Sequence, residues 1–423
     1  MIVNKNKQKR KFDIRHWLIM IVLSVSGGLI FMAPFLREVY YIPMQEAMNL
    51  SNTEMGMLMG VFGAVGLLTY FPGGWLADRV SSRKLITLGM LATGVSGLYF
   101  STFPDFVANL VLHAFWGISI TLVFWGAMIK ATRGWAPADE QGRAFGILET
   151  GRGLSEVLSH TALLALFAWL GSTYAALSTV IVAFSLFNIG LGVAAWFLIE
   201  DSDRKEAGKQ HKVGLKEVKQ VLKTPVVWLI SVVILCAYSA YWGSFFFTPY
   251  ASDVFLMSVT MAGVLSVGRM WLKPFAALAA GFLGDKFGIS KTVAISMAIT
   301  AASFALFALT PSVPSILPLV IFNVAISATF IFALRGIYFA LLEEGGIPLA
   351  LTGTAAGVAS AIGFIPDIYM PVIGGYLLDA YPGITGYRLL FGFVAILAVI
   401  GMIAAILILR IQKAGLRRDD LVS

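Results

Sequence analysis

One apolar stretch carries four ionisable residues at helical spacing: Glu149, Arg152, Glu156 and His160. On an α-helix that advances about 100° per residue, this spacing places the four side chains within about 80° of one another. Such a stripe could relay protons, hold a charged solute, or only join neighbouring helices as a salt-bridge ladder. Glu156 and His160 lie deeper in the stretch and are the better candidates for a change of protonation.

Basic residues outnumber acids among the other charges that interrupt apolar stretches. Several of them facing one cavity would favour an anionic solute, because a guanidinium fork matches carboxylate or phosphate geometry. Structural roles are the alternative: Arg37 and Glu38 could pair near the outer surface, Lys273 could extend to the membrane surface, and Asp367 could only neutralise Arg335. The residues in question are Arg37, Glu38, Arg269, Lys273, Arg335 and Asp367.

Two further features add candidates for solute contact. Tyr238, Tyr241 and Trp242 have a three-four spacing that predicts a shared helix face, and Tyr338 lies in another apolar stretch. The alternative is that these aromatic residues only pack or anchor helices at the membrane interface. Asp367 follows Pro366, which predicts a helix broken at the carboxylate, and broken helices are typical of solute sites in transporters.

The composition identifies the solvent around these residues. The chain has 423 residues, of which 58% are hydrophobic and 13% charged, with a mean hydropathy of +0.83. A membrane-spanning helix needs about 20 mostly apolar residues, and stretches of that kind fill the chain. We predict an all-α membrane protein with spans at 17–42, 54–77, 84–103, 105–130, 142–170, 173–199, 226–250, 258–284, 290–311, 314–342, 349–378 and 386–410.

The distribution of charge predicts the topology. The net charge of +8 comes from basic residues in loops and tails rather than on a soluble face, which argues against nucleic-acid binding. By the positive-inside rule, both termini and the most hydrophilic stretch are cytoplasmic. We therefore expect a basic N-terminal tail, a first six-helix bundle, a linker with a short surface helix near 213–222, a second bundle and a C-terminal tail, at 1–16, 17–199, 200–225, 226–410 and 411–423.

Processing and cofactor signals are few. The basic N-terminus precedes an apolar stretch too long for a secretory signal, so we expect a retained first span. Cys236 is the sole cysteine, which excludes intramolecular disulfides and makes a thiolate zinc cluster implausible. We expect no cofactor or metal, and a monomer suffices for this architecture.

The chain contains an internal repeat. A shift of 207 residues aligns Gly74 with Gly281 and Asp78 with Asp285, without a gap. The segment at 74–79 resembles the signature of the major facilitator superfamily between its second and third helices, although Ser81 stands where a second glycine is expected. The second copy, at 281–288, resembles the same signature between helices eight and nine.

The resemblance implies twelve helices in two pseudo-symmetric six-helix bundles that alternate access to a central site. It also implies gating roles for Gly74, Asp78, Arg79, Gly281 and Asp285. Physically, a glycine permits close helix approach, and an aspartate can accept charge-assisted hydrogen bonds across the interface between the halves. The alternative is that Asp78 and Arg79 are solvated loop charges.

The arginine-rich spans are similar in character to the organic-anion and sugar-phosphate branches of that superfamily. The resemblance implies an inner-membrane transporter of a small organic anion, not an enzyme, with Glu156, His160 or Asp367 taking up a proton. Proton symport would relieve the opposing membrane potential, about 2.3 kcal/mol per charge per 100 mV. The alternatives are anion exchange, a drug/proton antiporter, which is disfavoured because 146–155 has no proline, and a transporter-like solute sensor.

Overall fold

The computed structural model describes residues 14–136, 141–199, 219 and 221–419, and these fold into twelve membrane-length helices. Most of the predicted linker, with its surface helix, and most of the N-terminal tail lie outside the described residues. The helices are α1 Ile14–Met48, α2 Asn52–Arg79, α3 Ser82–Phe100, α4 Phe106–Trp135, α5 Gln141–Trp169, α6 Tyr174–Leu198, α7 Pro225–Phe255, α8 Val259–Met270 and Leu272–Phe287, α9 Ile289–Leu309, α10 Pro314–Glu344, α11 Leu349–Gly363 and Pro366–Ala380, and α12 Ile384–Asp419.

The composition of these helices suits a bilayer. Within the described part of the chain, nine of them contain stretches long and apolar enough to cross a membrane. The outer surface is apolar, with Leu68, Phe197 and Phe275 between 69% and 75% exposed. The remaining three, α3, α5 and α8, are less apolar, and α5 and α8 carry the charged residues of the stripe and its partners. The predicted all-α fold with twelve spans is confirmed.

Several helices extend further than predicted, among them the two that carry the glycine–aspartate motifs. The helix α2 begins with a capping box, in which Ser51 and Glu54 satisfy each other's backbone N–H groups, and continues to Arg79. The helix α8 continues to Phe287. Both glycine–aspartate motifs therefore lie in the last turns of helices rather than in loops.

Four helices are broken at prolines. A proline has no N–H for the carbonyl four residues earlier, and its ring crowds that carbonyl. In α1, α7, α8 and α11, the helix is interrupted at that point. The break expected in α11 is present, and the other three were not predicted. The prolines and the residues four positions earlier are Pro34 and Ile30, Pro249 and Phe245, Pro274 and Met270, and Pro366 and Ile362.

The helices form two halves, α1–α6 and α7–α12. Because successive helices alternate in direction, the end of α6 at Leu198 and the start of α7 at Pro225 lie on one side of the bundle, called here the linker side. The start of α2 at Asn52 and the end of α11 at Ala380 lie on the opposite side, called the far side.

Candidate functional site

On the far side, α2 and α11 pack closely through glycines. A Cβ atom added at Gly56 would overlap the carbonyl oxygen of Pro371, and one at Gly63 would lie 2.6 Å from the carbonyl oxygen of Asp367. Only glycine allows the backbones to approach this closely. We call this contact, 52–63 of α2 against 367–379 of α11, the α2–α11 seam.

The outer end of the α2–α11 seam is closed by one carboxylate. Asp379 Oδ1 accepts hydrogen bonds from the backbone N and Nδ2 of Asn52 at 3.1 and 2.9 Å. Its Oδ2 accepts from the backbone N and Oγ1 of Thr53 at 2.6 and 2.5 Å. An acid of one half thus caps the N-terminus of a helix in the other half, where backbone N–H groups and the helix dipole favour negative charge.

A second seam joins α8 to α1 and α5, and it is held by charges; we call it the α8 seam. Glu38 and Arg269 form an ion pair whose side chains are 4% and 1% exposed. Arg269 also donates to Ser244 Oγ at 3.0 Å. Thr248 and Ser266 both donate to the carbonyl oxygen of Glu38, at 3.0 and 2.7 Å. Glu38 therefore pairs across the halves rather than with Arg37, which corrects that alternative.

Arg37 also lies on the far side, where α1 meets the start of α2. Its Nη1 donates to the carbonyl oxygen of Met55 at 2.6 Å, and its guanidinium lies 4.9 Å from the centre of the Tyr41 ring and 5.5 Å from that of Phe246. Arg37 is 2% exposed, and its Nε and Nη2 have no hydrogen-bond partner. Phe246 belongs to the other half, so the contact is part of the far-side closure.

The α8 seam continues inward, between α5 and α8, to a half-exposed ion pair. Ser172 and Thr260 share a hydrogen bond at 2.6 Å near the far side. Deeper, Lys273 Nζ lies 3.1 Å from Glu156 Oε2. Lys273 is thus paired across the halves, instead of extending to the membrane surface. His160, one turn from Glu156, is 2% exposed and its Nδ1 has no hydrogen-bond partner.

Towards the linker side, these same helices separate. On α2, Gly74 has open space where a Cβ would stand, and so does Gly357 on α11. On α5 and α8, Gly146 and Gly281 are likewise open. Tyr70 of α2 is 42% exposed. The halves therefore enclose a cleft that opens on the linker side, with Asp367 and the Glu156–Lys273 pair at the points where the seams end.

In the second half, Arg335 is the main charge beside the cleft. Its guanidinium carbon lies 3.9 Å from the centre of the Tyr241 ring and 5.6 Å from that of Tyr238. Among the residues that the structure describes, Arg335 has no carboxylate in ion-pair distance, and its buried Nη1 has no hydrogen-bond partner. Tyr338, 4% exposed, follows three residues later in α10.

Asp367 lies where α11 is broken. Its Oδ1 accepts a hydrogen bond from Trp242 Nε1 at 2.8 Å. Trp242 thus presents its indole to the acid, while Tyr238 and Tyr241 of the same helix contact Arg335. The predicted aromatic face is present, and it lies between the acid and the base. Asp367 forms no ion pair with Arg335 within the described part of the chain.

The first half contributes Arg152. Its Nη1 donates to Glu149 Oε1 at 2.6 Å, its Nε donates to the carbonyl oxygen of Gly27 at 3.2 Å, and its guanidinium lies 4.8 Å from the centre of the Trp125 ring. Glu149 is 61% exposed and Arg152 is 17% exposed. The four residues of the predicted α5 stripe therefore have three different environments. Glu149 and Arg152 pair with each other beside the cleft, Glu156 pairs with Lys273 in the α8 seam, and His160 is buried.

The gating motif is described only in part. Arg79 is exposed, donates to the carbonyl oxygen of Trp75 at 3.2 Å, and lies 3.9 Å from the centre of its ring. Asp285 is exposed. The side chain of Asp78 lies outside the described residues, so the latch expected there stays a prediction.

Sequence reasoning missed the residues that close the far side. Asp379 lies near the predicted end of its span, where an ordinary surface acid is expected. The glycines at 56, 60 and 63 have the small-residue spacing of close helix contacts, and that signal could have marked α2 as an interface. Trp125, in an apolar span, has no sequence signal that separates it from a packing residue. Within the described residues, no group of three metal-ligating side chains occurs.

Comparison with known proteins agrees with this architecture. Residues 17–268 match the family described as Major Facilitator Superfamily. YqcE, an inner membrane protein of Escherichia coli K12, is 31% identical over 94% of this chain and 95% of its own length. YihN, an inner membrane protein of the same strain, is 29% identical over 97% of this chain and 98% of its own length.

The names of some relatives include a substrate, and the titles of some structural neighbours include a conformational state. The probable sulfoacetate transporter SauU of Cupriavidus necator is 24% identical over 86% of this chain and 87% of its own length. The crystal structure of a bacterial homologue of the human lysosomal transporter Spinster, inward-facing and unoccupied, has a TM-score of 0.78 at 16% identity, covering 94% of this chain and 98% of that chain.

The family match settles the class of protein. It confirms a transport protein rather than an enzyme, and the relatives agree with a multi-pass membrane location. The fold, the two halves and the sequence match together show that the chain belongs to the major facilitator superfamily of transporters.

Proposed function

We propose that the protein is a secondary transporter of a small organic anion, and that Arg335 is the principal group that binds the anion. The observation that carries the proposal is the environment of Arg335. The guanidinium is stacked on Tyr241, and its buried Nη1 lacks a partner among the described residues of the protein, so an anionic ligand would supply the acceptor that this donor lacks.

The pairing of the other cations supports this assignment. Arg269 is paired with Glu38, Lys273 with Glu156, and Arg152 with Glu149. Arg335 is the base beside the cleft that an incoming carboxylate, sulfonate or phosphate would neutralise. Arg152 faces the cleft from the other half. It would contact the end of the same solute that is opposite the group bound by Arg335. The name of the relative SauU, a probable sulfoacetate transporter, is consistent with such a substrate.

Proton coupling is the finer part of the proposal, and Asp367 is the residue we assign to it. Its described hydrogen-bond partners are the neutral side chains of Trp242 and Tyr238 rather than a cation. A carboxylate in such surroundings takes up a proton more readily than one held in an ion pair. Protonation of Asp367 as the anion binds to Arg335 would keep the loaded cleft nearly neutral. Glu156 and His160, on the opposite seam, are the alternative carriers.

The direction of opening follows from the charges in the loops. The basic residues of the loops lie on the linker side, which supports placing that side in the cytoplasm. The cleft would then face the cytoplasm, and the α2–α11 seam and the α8 seam would close the path to the outside. Alternating access would require both seams to part while the linker side closes.

The test is ligand-dependent thermal stabilisation of the purified protein. A panel of sulfonates, sugar acids, dicarboxylates and sugar phosphates is compared with neutral sugars and cationic drugs. We expect an anion to raise the melting temperature, because a ligand that binds only the folded state stabilises it. The shift should disappear in Arg335→Ala, and Arg335→Lys should restore only part of it, since lysine lacks the planar fork.

The matched control is Arg410→Ala, which removes an exposed arginine of α12. It should keep the full ligand shift. Stabilisation by cations or neutral solutes alone would overturn the anion assignment. Uptake into proteoliposomes, with and without a pH gradient, then separates symport from exchange: a rate that does not respond to the gradient would exclude proton coupling and favour exchange.

A further inference from the structure

A second recess lies on the outside of the second half, away from the cleft. It is a cavity of about 290 Å³ between α8, α9 and α10. Its lining is mostly apolar and faces outward: Leu283 is 46% exposed, and Phe287 and Ile295 are each 50% exposed. In a membrane-spanning protein, an outward recess of this kind faces the acyl chains of the bilayer.

Two lysines stand at one end of this recess. Lys286 Nζ lies 5.3 Å from the centre of the Phe287 ring, and Lys291 Nζ lies 5.8 Å from the same centre. Phe287 ends α8 and Ile289 begins α9, so the lysines lie at the linker-side end of the helices. The recess thus has an apolar body along the helices and a cationic rim at their ends.

The described acids nearby are not paired with these lysines. Glu344 accepts hydrogen bonds from the backbone N and the hydroxyl of Ser290, and so already occupies the N-terminus of α9. Asp285 is exposed on the same turn as Lys286. Neither lysine forms an ion pair with Asp285 or Glu344 within the described part of the chain, so both ammonium groups remain available to a phosphate.

From this juxtaposition we propose that the recess binds an anionic phospholipid, with one acyl chain along Phe287 and Ile295 and the phosphate between Lys286 and Lys291. An apolar chain alone would not require the lysines, and a free phosphate would not require the apolar body. The combination matches an amphiphile with a negative head, held at the leaflet on the linker side.

The experiment is native mass spectrometry of the full chain, titrated in detergent with dioleoyl phosphatidylglycerol or dioleoyl phosphatidylcholine. Every protein used carries Arg335→Ala, so that binding of an anion in the cleft does not contribute. We expect phosphatidylglycerol to bind more tightly. The double variant Lys286→Gln/Lys291→Gln should weaken phosphatidylglycerol binding by roughly 25-fold, at about fivefold for each lysine.

Two further arms separate binding of a phospholipid from binding of a free anion or from attraction by surface charge in general. Lys219→Gln/Lys223→Gln removes two exposed lysines near the start of α7 and should leave the preference unchanged. Ile295→Trp fills the apolar body without altering charge and should weaken phosphatidylglycerol binding. Equal binding of the two lipids, or a preference that survives loss of Lys286 and Lys291, would overturn the proposal. Competition by millimolar inorganic phosphate, with no effect of Ile295→Trp, would replace the lipid with a free anion.

Discussion

The two seams that close the far side are held together by different interactions. The α2–α11 seam brings backbones together through Gly56 and Gly63, and its one charge, Asp379, caps a helix. The α8 seam is held by ion pairs, Glu38 with Arg269 and Glu156 with Lys273. One seam depends on shape and the other on charge.

This contrast explains how one protein could be both tightly closed and able to reopen. A glycine contact gains packing energy only at short range and is lost as soon as the helices part. An ion pair acts over a longer distance, and its energy depends on how much water reaches it. Each seam ends at a carboxylate beside the cleft, so a change at either acid would act where the halves begin to separate.

The largest effect is expected from breaking the buried pair of the α8 seam. Glu38→Ala leaves Arg269 buried without its acid, and loss of one partner of a buried pair costs about 3 to 5 kcal/mol. The melting temperature should fall sharply. The double variant Glu38→Met/Arg269→Met removes both charges and should recover much of the loss. If both variants melt alike, the pair is not what stabilises this seam.

A smaller effect is expected from filling the α2–α11 seam. Gly56→Val places a side chain against the carbonyl of Pro371, and overpacking of this kind costs about 1 to 3 kcal/mol in the closed state. The far side should open more often. In a chain that also carries Cys236→Ala, the thiol introduced by Tyr41→Cys should then react faster with a water-soluble maleimide. Gly357→Ala, where no atom lies within 4 Å, is the matched control and should leave the rate unchanged.

A substitution at Asp379 tests whether its cap on α2 helps to keep the α2–α11 seam closed. Asp379→Asn keeps the shape but removes the charge that faces Asn52 and Thr53, with an expected loss of about 1 kcal/mol. The maleimide rate at position 41 should rise less than in Gly56→Val. Glu54→Gln alters a cap on the same helix within one half and should leave that rate unchanged. If the maleimide rate at position 41 is the same with and without Asp379→Asn, the hydrogen bonds of Asp379 across the halves do not help to keep the seam closed.

Much of this fold could be predicted because apolar length and charge are local properties of the sequence. Twelve spans, the repeat and the break at Pro366 follow from composition, from a shift of 207 residues and from the missing N–H of proline. The same missing N–H, at Pro34, Pro249 and Pro274, accounts for the three breaks that were not predicted.

The candidate site could be predicted only as a set of residues. The sequence indicates that Arg37, Arg269 and Arg335 lie in spans, but it does not say which has an acid on another helix. Arg269 meets Glu38 across 231 positions of the chain, and Arg335 meets none among the described residues. That distinction depends on how two halves dock, and one sequence without the docked structure contains no local signal for it.

The smallest change in stability is expected at the inner end of the α8 seam. The pair of Glu156 and Lys273 is 27% and 36% exposed, so Lys273→Met should alter the free energy of unfolding by about 0.2 to 1 kcal/mol. The informative measurement for Lys273→Met is the dependence of uptake on the pH gradient. If Glu156 carries the proton, the freed acid should alter the dependence of uptake on the pH gradient, whereas Asp367→Asn should not. If Asp367 is the carrier, as we propose, Asp367→Asn abolishes that dependence and Lys273→Met leaves it in place.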